Sequence, residues 1–263
     1  MVNILNNSNY QRALAVANRL WRTSRSTLIC TLALLMSAIA TAADWEIDPV
    51  RIELSPEQQT AAITLRNASD QPTSIQIEVV AWSQVDGKDV YSASRELLVS
   101  PPIVTIAAKG EQVVRAALRR SADASKELSY RINLQELPPP PTPGFNGVQV
   151  ALRVGLPVFV QSARGEAAPQ MTWNAVRMPG NKLKIAMKNQ GNAHVQVTDF
   201  SLYLPGGNQI VGGESGSSYV MPGQSHEWLL SMASSEKLAS DRVHLKAYTD
   251  AGDVDTDLVL DKP

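Results

Sequence analysis

Three histidines, His194, His226 and His244, are the side chains best suited to metal or acid–base chemistry, and each stands alone in its segment. A metal site needs ligands that converge, and the chain has no H-x-H or H-E-x-x-H pattern and no cysteine pair. The spacing predicts surface or edge histidines and argues against a copper–zinc sandwich enzyme. Nucleophilic catalysis has no G-x-S-x-G elbow to use. No glycine-rich loop cradles a phosphate, and Gly206-Gly207 and Gly212-Gly213 read as hairpin turns. Trp82, Trp173 and Trp228 are too scattered to form a stacking row for sugar or single-stranded nucleic acid, so core or interface packing is their expected role. A net charge of -1 leaves no field to capture nucleic acid or an anionic membrane. The chain is therefore read as a non-enzyme with no cofactor and no metal.

Recognition between chains is the chemistry that remains, and one stretch could carry it. From Ser129 to Val160 a short alternating strand leads through a proline-rich loop into a strongly apolar one. In the second half Val148, Val150, Leu152, Val154 and Leu156 point one way, with Gln149, Ala151, Arg153 and Gly155 between them. In a half-buried strand that stripe faces its own core. At a sheet edge, the same stripe and its free backbone groups are what another chain can pair with. The residues alone leave both readings open.

The elements that must position this stretch begin after residue 43. Arg12, Arg19, Arg22 and Arg25 precede an apolar run from Leu28 to Ala40, followed by the small residues Thr41, Ala42 and Ala43. This order predicts a secretory signal peptide over residues 1–43. The run is shorter than the ~20 residues that cross a bilayer, and no membrane insertion is expected. Cys30, the one cysteine, falls within it, so the mature chain has no thiol although export leads to a compartment that permits disulfides. Thereafter the pattern is β: Trp45 to Leu54 broken at Pro49, Ala61 to Leu65, Ile75 to Val79 and Val113 to Leu118. Past the small, polar segment Gln161 to Gln170 come Lys182 to Met187, His194 to Leu204, Ser225 to Leu230, Val243 to Tyr248 and Thr256 to Leu260. Short strands at this spacing predict two consecutive all-β sandwich domains, over residues 44–163 and 164–263.

Six segments together resemble the periplasmic chaperones of the chaperone-usher pilus pathway: DPVRIEL (48–54), VVAW (79–82), LLVSPPIVTIAAKGEQVVR (97–115), ELSYRINLQELPP (127–139), VQVALRVGLPVFV (148–160) and KNQGNAHVQV (188–197). The resemblance implies two immunoglobulin-like β-sandwich domains set at an angle around a cleft. It implies pilin-like subunits with an incomplete immunoglobulin fold as partners, and delivery of them from the periplasm to an outer-membrane usher. Donor-strand complementation would be the mechanism, with Val148, Val150, Leu152 and Val154, extended by Phe145, entering the subunit's groove. Two basic residues in the cleft of such chaperones grip the subunit's C-terminal carboxylate; the first matches Arg51. The second, commonly a lysine, falls on Pro157, which leaves Arg131 or Arg153 to replace it. Arg131 is favoured, because a charge between Tyr130 and Ile132 is costly without a partner. Arg115, Glu127 and Asp250 match an interdomain charge network, and a cis bond is expected at Pro101. The departure at Pro157 and the SYRINLQELPP wording resemble the archaic branch. The alternative is a secreted two-domain immunoglobulin-like adhesin or binding module, which would use exposed loops and need neither an apolar edge strand nor basic cleft residues.

Overall fold

Aliphatic residues at every second position sort most strands into an inward and an outward face, and the computed structural model shows where those faces meet. It describes residues 45–138, 150–164, 167–206, 210–232 and 240–261. The first half holds β1 (Trp45–Asp48), β2 (Ile52–Leu54), β3 (Thr60–Asn67), β4 (Thr73–Val85), β5 (Lys88–Ala93), β6 (Leu97–Ser100), β7 (Ile103–Ile106), β8 (Glu111–Leu118), β9 (Leu128–Leu137) and β10 (Arg153–Val160). They form two sheets, one in the order β1-β3-β8-β6 and one in the order β2-β10-β9-β4-β5, with β7 also on β4. Between the sheets lies a core that includes Ile63, Leu65, Ile75, Val114, Tyr130, Ile132, Leu134 and Val158.

The second half holds β11 (Met171–Met178), β12 (Lys182–Asn189), β13 (Val195–Tyr203), β14 (Ile210–Val220), β15 (Ser225–Ser231), β16 (Arg242–Thr249) and β17 (Val254–Asp261). Their order is β14-β13-β16-β17-β11-β12-β15, folded around a separate core that includes Leu183, Ile185, Phe200, Trp228 and Leu245. The fold class is the expected one: all-β, built as two immunoglobulin-like sandwiches. Trp82, Phe159 and Met221 make a third buried cluster, with Tyr219 packed against it, where the two sandwiches touch. Pro49 and Pro101 both follow cis peptide bonds, the second as expected. Gly212 and Gly213 do not form a hairpin turn; they lie inside β14. A Cβ on Gly213 would come within 2.7 Å of the Phe200 carbonyl, so the glycine permits a close backbone approach beside a register shift in β13.

β10 is the strand that matters for function. It pairs with β9 along its whole length, from Arg153↔Gln135 to Val160↔Leu128, but with β2 only at Val158, Phe159 and Val160. Among the described residues its other edge is therefore open over residues 153–157. The Glu136 N–H donates to the Leu152 carbonyl at 2.9 Å. In an antiparallel ladder this fixes the alternation: the amides of residues 154 and 156 face β9, and those of Arg153 and Gly155 face the open side. The missing N–H of Pro157 falls on that open side too, which is where a strand accepts proline without losing a ladder bond.

Candidate functional site

The outward face of the β2-β10-β9-β4-β5 sheet brings the cleft residues together. Ile52 and Leu54 turn into the core, so Arg51 and Glu53 turn out. Leu156, Val158 and Val160 turn in, so Gly155, Pro157 and Phe159 turn out. By the same alternation β9 presents Arg131 and Asn133, and β4 presents Trp82. An open cavity of about 550 Å³ is lined by Arg51, Glu127, Phe159, His194 and Asp250, among others.

A chain of polar contacts crosses between the sandwiches at this cavity. Glu127 Oε1 accepts the His194 backbone N–H at 3.1 Å and meets its ring Nδ1 at 2.7 Å. The His194 Nε2 lies 3.5 Å from Asp250 Oδ2, and Arg51 Nη1 donates to that oxygen at 2.8 Å. The His194 ring stacks on Phe159 with centroids 3.4 Å apart and planes 6° apart. Burial opposes the imidazolium, but the bonds to Asp250 and Glu127 outweigh it and raise the His194 pKa above its ordinary value. Asp250 is held below the usual carboxylate range: burial pushes it up, and His194, the Gln196 amide and Arg51 push it down harder. Gln84 closes the far side of the contact, donating Nε2 to the Tyr219 carbonyl at 2.8 Å and accepting the Met221 N–H at 2.9 Å.

The expected interdomain network thus needs a correction. Glu127 and Asp250 are brought together, but through His194 and Arg51 rather than Arg115. Arg115 is exposed on β8, between the inward-facing Val114 and Ala116, in the sheet that does not face the cleft. The histidines need one as well. His226 and His244 are partly exposed, as an edge position predicts, but the His194 side chain is only 10% exposed. Sequence reasoning missed it because its two carboxylate partners lie 67 and 56 residues away by number, at Glu127 and Asp250.

The two arginines assigned to the carboxylate grip are held differently. Arg51 lies 2.8 Å from both Glu53 and Asp250. Arg131 lies directly across from Pro157 in the β9–β10 register, where its guanidinium sits 4.3 Å above the Trp82 ring and 5.6 Å from the Tyr91 ring. Its Nη1 donates to the Tyr91 hydroxyl at 2.8 Å. The stem runs across Gly155, where a Cβ would come within 2.8 Å of Arg131 Cδ; the glycine makes room for the side chain. Arg153 is exposed and lies 3.7 Å from Glu78, away from the aromatic cluster.

Of the donor residues, Val148 and Phe145 lie outside the described residues. Val150 is 82% exposed. Leu152 and Val154 are half-buried against the first core. Within the described residues the apolar stripe therefore turns inward from Leu152 on and is exposed at Val150.

Comparison with known proteins gives this arrangement a family. Residues 45–164 match the family described as "Pili and flagellar-assembly chaperone, PapD N-terminal domain". Residues 45–164 belong to that family of pilus and flagellar-assembly chaperones. No curated protein matches the chaperone's sequence. Among solved structures it is similar to a chain of the CsuC–CsuE chaperone–tip adhesion subunit pre-assembly complex, from archaic chaperone-usher Csu pili of Acinetobacter baumannii. The TM-score is 0.60 at 20% identity, over 84% of this chain and 100% of that one. It is also similar to a chain of the Salmonella enterica SafA pilin–SafB chaperone complex (TM-score 0.56, 18% identity, 84% and 98% covered). The Pseudomonas aeruginosa CupB2 chaperone follows at TM-score 0.53 and 17% identity, with 82% and 100% covered. These likenesses establish the two-sandwich chaperone fold around the cleft.

Proposed function

We propose that this chaperone captures pilus subunits in the periplasm by β-augmentation along the open edge of β10 and hands them to an outer-membrane usher, on the archaic branch of the pathway. The observation that carries the reading is that edge: among the described residues none pairs with 153–157 on the side away from β9, and Val150, just before them in the stripe, is exposed. A subunit lacking its last strand would gain backbone bonds from the amides of Arg153 and Gly155 and from the carbonyls of the same two residues. Val148, Val150 and Leu152 would fill its groove, and Val154 would stay shared with the chaperone's own core. The carboxylate grip is assigned to Arg51 and Arg131. Arg131 is supported over Arg153 because it stands opposite Pro157, in the cleft, with its fork fixed by aromatic rings. Residues 1–43 are assigned as the signal peptide, and the domains to 44–163 and 164–263.

Co-expression tests the reading: the chaperone carrying its signal peptide is purified from periplasm with a small secreted β-sandwich subunit encoded beside it. A one-to-one complex that Val150→Thr weakens without lowering the melting temperature of the free chaperone is the expected result. A complex indifferent to that substitution would remove the edge from the mechanism and return the stripe to core packing.

A further inference from the structure

A third group faces the two arginines, and it comes from the second sandwich. Tyr219 lies near the end of β14, and its ring is wedged among three others: edge-on to Trp82 at 5.2 Å, 5.7 Å from Phe159 and 5.8 Å from His194. Trp82 is the ring that carries Arg131, and His194 is the ring that reaches Asp250, the partner of Arg51. Tyr219 therefore stands between the two guanidinium groups. Its backbone is pinned as well, since Gln84 donates to its carbonyl at 2.8 Å and accepts from the next amide at 2.9 Å.

Resting on the reading that Arg51 and Arg131 grip a peptide carboxylate, we propose that the Tyr219 hydroxyl is the third donor of that site, so that the bound C-terminus is held by both sandwiches at once. The chemistry follows from what each group can give. A guanidinium only donates, so toward the nearby Arg51 the phenol oxygen can only accept, and its O–H remains free to donate. Among the described residues no group takes that proton. Burial raises the Tyr219 pKa although both arginines pull it down, so the hydroxyl stays protonated and ready to donate. A carboxylate has about four acceptor positions, more than two forks need, and a neutral O–H adds a bond without adding charge. Because the ring is fixed on three sides, little rotational freedom is lost on binding.

The test uses the whole chaperone and two synthetic peptides of alternating valine and serine, one ending in a free carboxylate and the other amidated. Tyr219→Phe keeps every ring contact and removes only the hydroxyl. The wild-type chaperone should bind the free acid more tightly than the amide, and Tyr219→Phe should shrink that preference roughly tenfold, leaving amide binding unchanged. An undiminished preference in Tyr219→Phe overturns the role of Tyr219 while the arginine grip stands. No preference in the wild type, or binding of neither peptide, overturns the grip itself and the hydroxyl with it.

Discussion

The two ends of the cleft hold their arginines by opposite means. At one end Arg51 is flanked by carboxylates, with Glu53 and Asp250 both 2.8 Å away, and much of its charge is answered before any ligand arrives. At the other end Arg131 is clamped by the faces of Trp82 and Tyr91 and by one neutral hydroxyl. The aromatic clamp fixes the fork, and Asp89, which accepts from the Tyr91 hydroxyl at 2.9 Å, answers only part of its charge across that hydroxyl. In the proposed grip, an incoming carboxylate would find Arg131 without a direct ion pair among the described residues, but would share Arg51 with Glu53 and Asp250. The two residues look equivalent as arginines in a sequence; their neighbours hold one on aromatic rings and tie the other into the interdomain contact.

The largest expected effect breaks that comparison directly. Arg131→Ala should weaken subunit capture by roughly a hundredfold, the loss of a charge-assisted bidentate contact, with the melting temperature nearly unchanged. Arg51→Ala should weaken capture only about tenfold, because exchanging one carboxylate for another returns less, and it should lower the melting temperature by leaving the half-buried Asp250 with His194 as its remaining cationic partner. Titration calorimetry with the subunit's C-terminal peptide, beside thermal melts, reads both. Equal losses of affinity from the two variants would erase the distinction.

A smaller effect sharpens it. Gly155→Ala places a methyl within 2.8 Å of the Arg131 stem and should push the guanidinium off Trp82. Capture should fall about fivefold, a fraction of the Arg131→Ala loss, since the charge stays but its aim is lost. Tryptophan fluorescence of the free protein, which reports the Trp82 environment, should shift with it. Unchanged emission would mean that the stem accommodates the methyl in place.

The mildest effect concerns the lock at the Arg51 end. His194 has a raised folded-state pKa, so its contribution to stability is fully present below the unfolded value of about 6.5 and is lost as pH rises through the folded pKa. Asp250 is shifted the other way; its contribution holds above the ordinary carboxylate pKa and fades as pH falls through its lowered one. Melts across neutral pH should therefore show stability declining on the alkaline side of 6.5, and His194→Gln should flatten that slope. A slope that survives the substitution would assign the titration to another group.

Much of this was legible in the chain because β periodicity is local. β3, β4, β8, β12, β13, β15, β16 and β17 all overlap segments whose alternation announces them. β14 did not, since glycines and serines give IVGGESGSSYV no apolar stripe; pairing with β13 holds it in strand form, and it carries Tyr219. The site was legible only in part for a different reason. The family resemblance picked out Arg51, and Arg131 stood out as a charge between Tyr130 and Ile132, whereas the ties between His194, Glu127 and Asp250 join residues distant in sequence, and no local rule pairs them. Resemblance to relatives supplied Glu127 and Asp250 but put Arg115 with them, a position this chain leaves on an outer face.

The open edge of β10 remains the center of the account, and amide hydrogen exchange on the free chaperone and on its subunit complex tests it most directly. The parity set by the Glu136–Leu152 bond points the amides of Arg153 and Gly155 outward and those of Val154 and Leu156 toward β9. On subunit binding, Arg153 and Gly155 should slow by at least about tenfold, while Val154 and Leu156, already bonded, change little. Fast exchange at Arg153 and Gly155 in the complex, with protection appearing only in surface loops, would contradict capture along this edge.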